Sequence, residues 1–322
     1  SRLLGLISAD MGSSLVRTGG SLITMTKQDT TKRPTGLALY TLAAEKSSSM
    51  VISSYSTSFG LAAKLLDPAS RQHIENIYAL VRVADEIVDG SAAEAAALGG
   101  TVNPVHALDD LEKEVYRALK EKFSVNLVVH AFAHTANTVG FDRKLIRPFF
   151  ESMRMDLWKT VHTKASFEKY VYGSAEVVGL MCLQAFILGH DYSAADRDKL
   201  ILGGRALGAA FQKVNFLRDL AADSDALGRS YFPGLKVADL TDAKRDELVE
   251  DIRKDLALSS VSLRMLPKSS RRAVAAAHLL FEALNEQIAR TPASELKVTR
   301  ISVPTVKKLL ILLRVLLGGL PR

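Results

Sequence analysis

Asp85 and Asp89 stand four residues apart in the otherwise apolar run "VRVADEIVDG" (81–90). At about 100° per residue, a helix there sets Tyr78, Arg82, Asp85 and Asp89 within an arc of about 60°, while Ile77, Leu80, Val83, Ala84, Ile87 and Val88 fill most of the remaining circumference. A solvated face would be broader and richer in Lys and Glu. One such pair proves little, because 35 acids in 322 positions give about four pairs at this spacing by chance. A second stripe carries more weight. In "LGAAFQKVNFLRDLAADSD" (207–225), Asn215, Asp219 and Asp223 recur every four residues, with Gln212 on the same side and Gly208 and Ala222 leaving room beside them.

Two buried helices that each carry carboxylates pose an electrostatic problem, since unpaired acids resist leaving water and facing acids raise each other's pKa. Positive charge must lie between them. Arg82 and Arg218 can supply part of it, as ion pairs that tie helices together. A divalent cation is the other solution. Mg²⁺ takes oxygen ligands, keeps several waters and is held by one or two carboxylates together with substrate phosphates, and an Asp/Asn set without His or Cys favours it over zinc.

The elements that must position these residues read as helices. From about residue 40 onward apolar residues recur every three to four, with no alternating strand pattern. Breaks fall at 65–70, 90–104, 188–196, 225–236 and 302–306, where Gly, Pro and Ser collect; only 90–104 is long enough to be a mobile surface loop. The expectation is an all-α protein with one domain over 36–322 and a flexible extension over 1–35 that could also be a targeting leader. Cys182 is the only cysteine, which excludes a disulfide framework and a four-cysteine zinc site and points to a reducing compartment. The formal charge of +7 favours anionic partners. The basic residues are nevertheless dispersed rather than interleaved with aromatics, which argues against nucleic acid. The longest apolar runs, 177–189 and the leucines around Arg314, fall short of the about 20 residues of a bilayer span. In "TVKKLLILLRVLLGG" (305–319), Lys307, Ile311 and Arg314 share a face among leucines, so this helix either docks on the domain or lies on an anionic bilayer.

Five segments, in order, resemble the squalene and phytoene synthase family of head-to-head prenyl synthases. "SYSTSFGLAAKLLD" (54–67) is similar to its Ser-x-Ser-Phe opening, "YALVRVADEIVD" (78–89) to its first aspartate motif, and "YVYGSAEVVGLM" (170–181) to its central Gly-rich helix. "FQKVNFLRDLAADSDALGRSYFP" (211–233) is similar to its second aspartate motif and Gly-Arg-x-Tyr loop, and "RISVP" (300–304) to its tail. The resemblance runs from about Ser53 to Leu317 and implies an isoprenoid synthase fold around a central cavity. By that carry-over Asp85, Asp89, Asn215, Asp219 and Asp223 would hold about two or three Mg²⁺ ions, with Mn²⁺ able to replace them. Ser56, Ser58, Phe59, Arg82, Gln212, Arg218 and Arg229 would bind the substrate, and Tyr78, Tyr172 and Tyr231 would flank the reacting centre. Two positions depart from the family. Lys213 replaces an apolar residue but projects away from the Asn215 stripe, and Phe281 replaces a tyrosine near the substrate.

The implied reaction ionises an allylic diphosphate, joins two prenyl chains through a cyclopropyl diphosphate and rearranges it to a linear hydrocarbon. Aimed cations suit the leaving diphosphate, and apolar and aromatic walls suit the carbocation; Gly173, Ser174, Ala175 and Gly179 allow close approach in the helix expected over 166–189, and Glu176 reads as a structural acid. The segments most resemble the bacterial carotenoid branch. That implies a phytoene synthase acting on two geranylgeranyl diphosphates, without NADPH, cytoplasmic and peripheral on the inner face of the membrane. Squalene or dehydrosqualene synthesis from two farnesyl diphosphates is the alternative, followed by a terpene cyclase and by a non-catalytic relative.

Overall fold

Asp67 starts the helix that bears the first stripe. Its carboxylate accepts the backbone N–H groups of Ala69 and Ser70 at 3.1 and 3.0 Å, and Pro68 occupies the first helical position, where its missing N–H is no loss. In this computed structural model, which describes residues 34–56, 58–220 and 231–321, the chain divides into compact units at 1–35 and 36–322. All elements below belong to the second. The side chains of Ser58, Phe59, Leu61 and Asp89 lie outside the description, as do Asp223, Arg229 and the expected extension over residues 1–33.

The helices are α1 (Gly36–Tyr55), α2 (Ser58–Ala63), α3 (Pro68–Asp89), α4 (Ser91–Ala97), α5 (Pro104–Glu121), α6 (Leu127–Val139), α7 (Arg143–Asp156) and α8 (Lys164–Val171). A π-helical turn, Tyr172–Glu176, leads into α9 (Val177–Ile187), followed by α10 (Ala194–Arg218), α11 (Asp242–Leu263), α12 (Lys268–Arg290), α13 (Ala293–Leu296) and α14 (Thr305–Leu316). The all-α expectation holds among the described residues. The loop expected over 90–104 is interrupted by α4: the alanines of "SAAEAAA" are strong helix formers, and Ala92 is buried.

One core packs α3, α5, α6 and α7 around Ile77, Leu80, Phe132, Phe149 and Phe150. A second gathers α10, α11 and α12 around Phe216, Leu217, Ile252 and Leu256. The helix expected over 166–189 is continuous from Lys164 to Ile187 but widened by the π turn, a feature periodicity does not announce. Its 24 residues are long and apolar enough to cross a bilayer by length and composition, which corrects the count of uninterrupted apolar residues. Yet it packs in the interior, where backbones nearly touch. A Cβ on Gly173 would lie 2.1 Å from the Pro148 carbonyl oxygen, and one on Gly208 of α10 would lie 2.6 Å from that of Ala175.

Candidate active site

The close approach of the π turn to α10 leaves a cavity of about 860 Å³ on the other side of these helices. Its walls come from α2, α3, the π turn, α9, α10, the α11–α12 pair and the segment before α14. At one end the wall is polar, with Ser56, Tyr78 and Arg82 on one side and Gln212, Asn215, Arg218 and Arg300 on the other. Leu183, Phe186, Leu200 and Leu266 line the opposite end.

The charges at the polar end are paired in a specific way. The Asp219 carboxylate accepts from Arg218 Nε at 3.0 Å and from Arg300 Nε at 2.7 Å. Burial pushes its pKa up, but these two guanidinium groups outweigh burial and hold it below the usual carboxylate range. Arg82 is bonded to Glu86, which also accepts from Ser91, and its guanidinium carbon lies 4.3 Å from the Tyr55 ring centroid. Tyr78 is half-buried and hydrogen-bonded to Ser56; burial raises its phenol pKa, Arg82 opposes the rise and Asp85 adds to it. Asp85 is half-buried, one turn beyond Arg82 on α3.

Three polar atoms in this wall have no partner among the described residues: Arg82 Nε, Ser174 Oγ and Asn215 Oδ1, each buried. A buried polar group left unmade costs about 1–3 kcal/mol, so three of them around one cavity mark a place that a polar ligand completes. The donor set suits a hard cation together with a polyanion. Asn215 Oδ1 offers a bare carbonyl oxygen near the ionised Asp219, as Mg²⁺ prefers, while Arg82, Arg218 and Arg300 offer guanidinium forks for diphosphate oxygens. Among the described residues no three His, Cys, Asp or Glu side chains converge as a metal cluster; Asp223 and the Asp89 side chain are not among them.

Several expected residues sit elsewhere. Tyr172 is not in the cavity wall: Arg205 lies over its ring at 5.3 Å and pairs with Glu176 at 2.6 Å, so Glu176 is a structural acid. Tyr231 stacks on Phe216 at 4.1 Å and 9°, and on His162 at 6.0 Å. Phe216 is buried and is not among the residues that line the cavity, and Tyr231 joins the aromatic cluster around it. Lys213 reaches α11, donating to Asp251 and Asp255 at 2.6 and 2.8 Å, in keeping with its place opposite Asn215. Phe281 does line the cavity, stacked on Phe211 at 3.8 Å.

Sequence reasoning missed Arg300, Lys308 and Tyr55 in the wall. Arg300 meets Asp219 across 81 residues of chain, a distance at which no local pattern operates. The only signal was its place in the "RISVP" segment.

The all-helical domain has the isoprenoid synthase fold of solved structures. The chain superposes on a dehydrosqualene synthase with a TM-score of 0.69 at 20% identity, covering 86% of this chain and 96% of that one. It superposes on a squalene synthase of Alicyclobacillus acidocaldarius with a TM-score of 0.66 at 20% identity, covering 78% and 95%. The sequence model described as squalene/phytoene synthase matches residues 52–307, and this chain belongs to that family. Chloroplastic phytoene synthase 3 of Zea mays is 31% identical over 83% of this chain and 64% of its own length. Phytoene synthase of Arthrospira platensis is 28% identical over 81% and 89%. The match spans less than two thirds of the plant relatives' length, 44% for chloroplastic phytoene synthase 2 of Oryza sativa and 42% for chloroplastic phytoene synthase 1 of Solanum lycopersicum.

Proposed function

We propose that this protein joins two geranylgeranyl diphosphates head to head through a cyclopropyl diphosphate and releases phytoene and diphosphate. The observation that carries the reading is the trio of unpartnered polar atoms, Arg82 Nε, Ser174 Oγ and Asn215 Oδ1, in the wall of one cavity. Asn215, Asp219 and Asp85, with Asp89 and Asp223 from the same two motifs, would hold Mg²⁺, which supplies Lewis acidity to the leaving diphosphate. Arg82, Arg218 and Arg300 bind and orient the diphosphates, and their charge is worth more in a cavity than in water: a unit pair at 4 Å gains about 4 kcal/mol at an effective dielectric of 20 against about 1 in bulk. Phe211, Phe281 and the aliphatic walls exclude water from the carbocation and turn aromatic faces to it.

The decisive assay incubates the protein with geranylgeranyl or farnesyl diphosphate and Mg²⁺, with and without NADPH, and identifies the extracted hydrocarbon. Phytoene formed without NADPH is expected; absence of any coupled hydrocarbon from either substrate would refute the reading. A hydrocarbon made only from farnesyl diphosphate would move it to the squalene or dehydrosqualene branch, where the two solved relatives above are named.

We further propose peripheral contact with an anionic bilayer through α14. This helix docks by a narrow stripe, Leu312 and Val315, and leaves Val306, Leu309, Leu310, Leu313, Leu316 and Leu317 exposed. No acid follows Glu295, whereas Lys307, Lys308 and Arg314 lie on the helix, the composition that binds acidic lipid surfaces. Flotation with phosphatidylglycerol vesicles should carry the protein upward at low salt and less at high salt. Equal flotation with neutral vesicles would count against the electrostatic part.

A further inference from the structure

One wall of the cavity is a single straight element. The lining residues Leu200, Gly203, Gly204, Gly208 and Asn215 of α10 recur at helical spacing along one stripe, so the wall has a built-in scale of 1.5 Å per residue. From Asn215 at the polar end to Leu200 at the floor is 15 residues by their numbers, about 22 Å. An extended chain advances about 1.2 Å per bond, as in polypeptide where three bonds span about 3.5 Å. Each four-bond isoprene unit therefore adds about 5 Å, close to one helical turn of 5.4 Å. The diphosphate held at Asn215 takes up about the first 4 Å, three bonds at about 1.2 Å each, so a three-unit farnesyl chain of about 14 Å ends near residue 203. A four-unit geranylgeranyl chain of about 19 Å ends near residue 200, at the floor.

The fourth unit starts at the level where α10 carries Gly203 and Gly204. A Cβ on Gly203 would meet Ser262 Oγ at 1.7 Å, so that glycine is required by packing against α11. Gly204 differs. Its nearest neighbours to an added Cβ are Leu183 Cδ2 at 3.5 Å and the Gly179 oxygen at 3.8 Å, ordinary contact distances. The missing side chain at Gly204 is therefore not demanded by the backbone, and it leaves volume at the depth a fourth isoprene unit reaches. Below it, Leu183, Leu200 and Leu266 form a buried cluster with Phe186 packed against it, which closes the floor.

We infer that Gly204, above the floor made by Phe186 and Leu200, sets the chain length of the substrate at four isoprene units. The inference rests on the prenyl diphosphate reading above and deepens it. A side chain placed on Gly204 leans toward the N-terminus of α10, which is the floor end, and so fills the space of the fourth unit while leaving the first three untouched.

The test compares kcat/KM for geranylgeranyl and farnesyl diphosphate, followed by diphosphate release, in the unaltered protein, Gly204→Leu, Gly204→Ala and Phe186→Ala. It adds calorimetric binding of the unreactive thiolodiphosphate analogues of both lengths. The unaltered protein should favour the twenty-carbon chain. Gly204→Leu should shift the ratio toward the fifteen-carbon chain by at least about tenfold in both turnover and binding, since even one methylene in an apolar pocket discriminates about 10- to 200-fold. Gly204→Ala, whose Cβ finds ordinary contact distances, should shift it in the same direction by less, and keeps the test open should Gly204→Leu fail to fold by circular dichroism. Phe186→Ala should admit the twenty-five-carbon homologue. An unchanged ratio in folded Gly204 variants or equal loss for both lengths would overturn the ruler alone, whereas a preference of the unaltered protein for farnesyl diphosphate would overturn it together with the choice of the twenty-carbon substrate. Release of diphosphate from neither substrate would overturn the functional reading together with it.

Discussion

Asn215→Leu separates folding from function at one residue. In the free protein Asn215 Oδ1 is buried without a partner, an unmade bond that costs about 1–3 kcal/mol. Leucine has the same branched outline, its extra bulk faces the cavity that Asn215 lines, and it is a better helix former, so the substitution should stabilise the ligand-free protein by about 1–3 kcal/mol. At about 2–4 °C per kcal/mol for a large domain, calorimetry in EDTA should record a rise in Tm of about 2–12 °C. The same change removes an oxygen ligand aimed at the diphosphate site, and loss of one pre-aimed group in such a site lowers turnover about 10²- to 10³-fold. Mg²⁺ with a substrate thiolodiphosphate should raise the Tm of the unaltered protein and leave that of the variant nearly unmoved. A variant that melts lower than the parent in EDTA, or that keeps more than about a tenth of its activity, would refute the assignment of Asn215 as a ligand held ready at a folding cost.

The two stripes should respond alike to charge removal. Asp85→Asn and Asp219→Asn are each expected to abolish turnover with helicity by circular dichroism intact, since the Asp219 pairs involve partly exposed arginines and such pairs contribute about 1 kcal/mol or less; full activity in either would contradict the roles given them. Alanine scanning of two glycines should split in sign. Gly173→Ala places its Cβ 2.1 Å from the Pro148 oxygen and should lower stability by about 3 kcal/mol, whereas Gly204→Ala should raise it by up to about 1 kcal/mol, both read from urea midpoints. Burial pushes the Cys182 thiol up to about 12, so at pH 7.5 its thiolate is scarcer than in a free cysteine by about three orders of magnitude. Alkylation by iodoacetamide should therefore wait on unfolding, and native labelling at the rate of free cysteine would show the chamber wall to be open.

The helical class was legible, and so was the helix that carries Arg82 and Asp85, because each depends on spacing within one element. Of the second stripe, Asn215 lies on α10, Asp219 caps it just past Arg218, and Asp223 lies outside the described residues. Asp85 follows Arg82, and Asn215 precedes Asp219, whatever the rest of the chain does. The docking of Lys213 followed from the same geometry, because a residue two positions before Asn215 must project elsewhere. What failed to show had another origin. The π turn at Tyr172–Glu176 inserts one extra residue into the helix, which no apolar periodicity announces, and Arg205 lies over the ring of Tyr172 at its start. Tyr231 stands 15 residues after Phe216, and its stacking on that ring is a tertiary contact that no helical spacing announces. The α4 helix was obscured by the flanking glycines that made 90–104 resemble a loop.

By itself the amino-acid order determined which helices form, which of their faces carry acids and which small residues let backbones meet, since these are consequences of periodicity and covalent geometry. Only tertiary structure decided that Arg300 closes on Asp219 from 81 residues away, that three polar atoms are left unpaired around one hollow, and where the hollow ends. Contacts between distant segments depend on how all the helices pack at once, and a cavity is the space that packing leaves over; neither quantity is stored in any single stretch of chain.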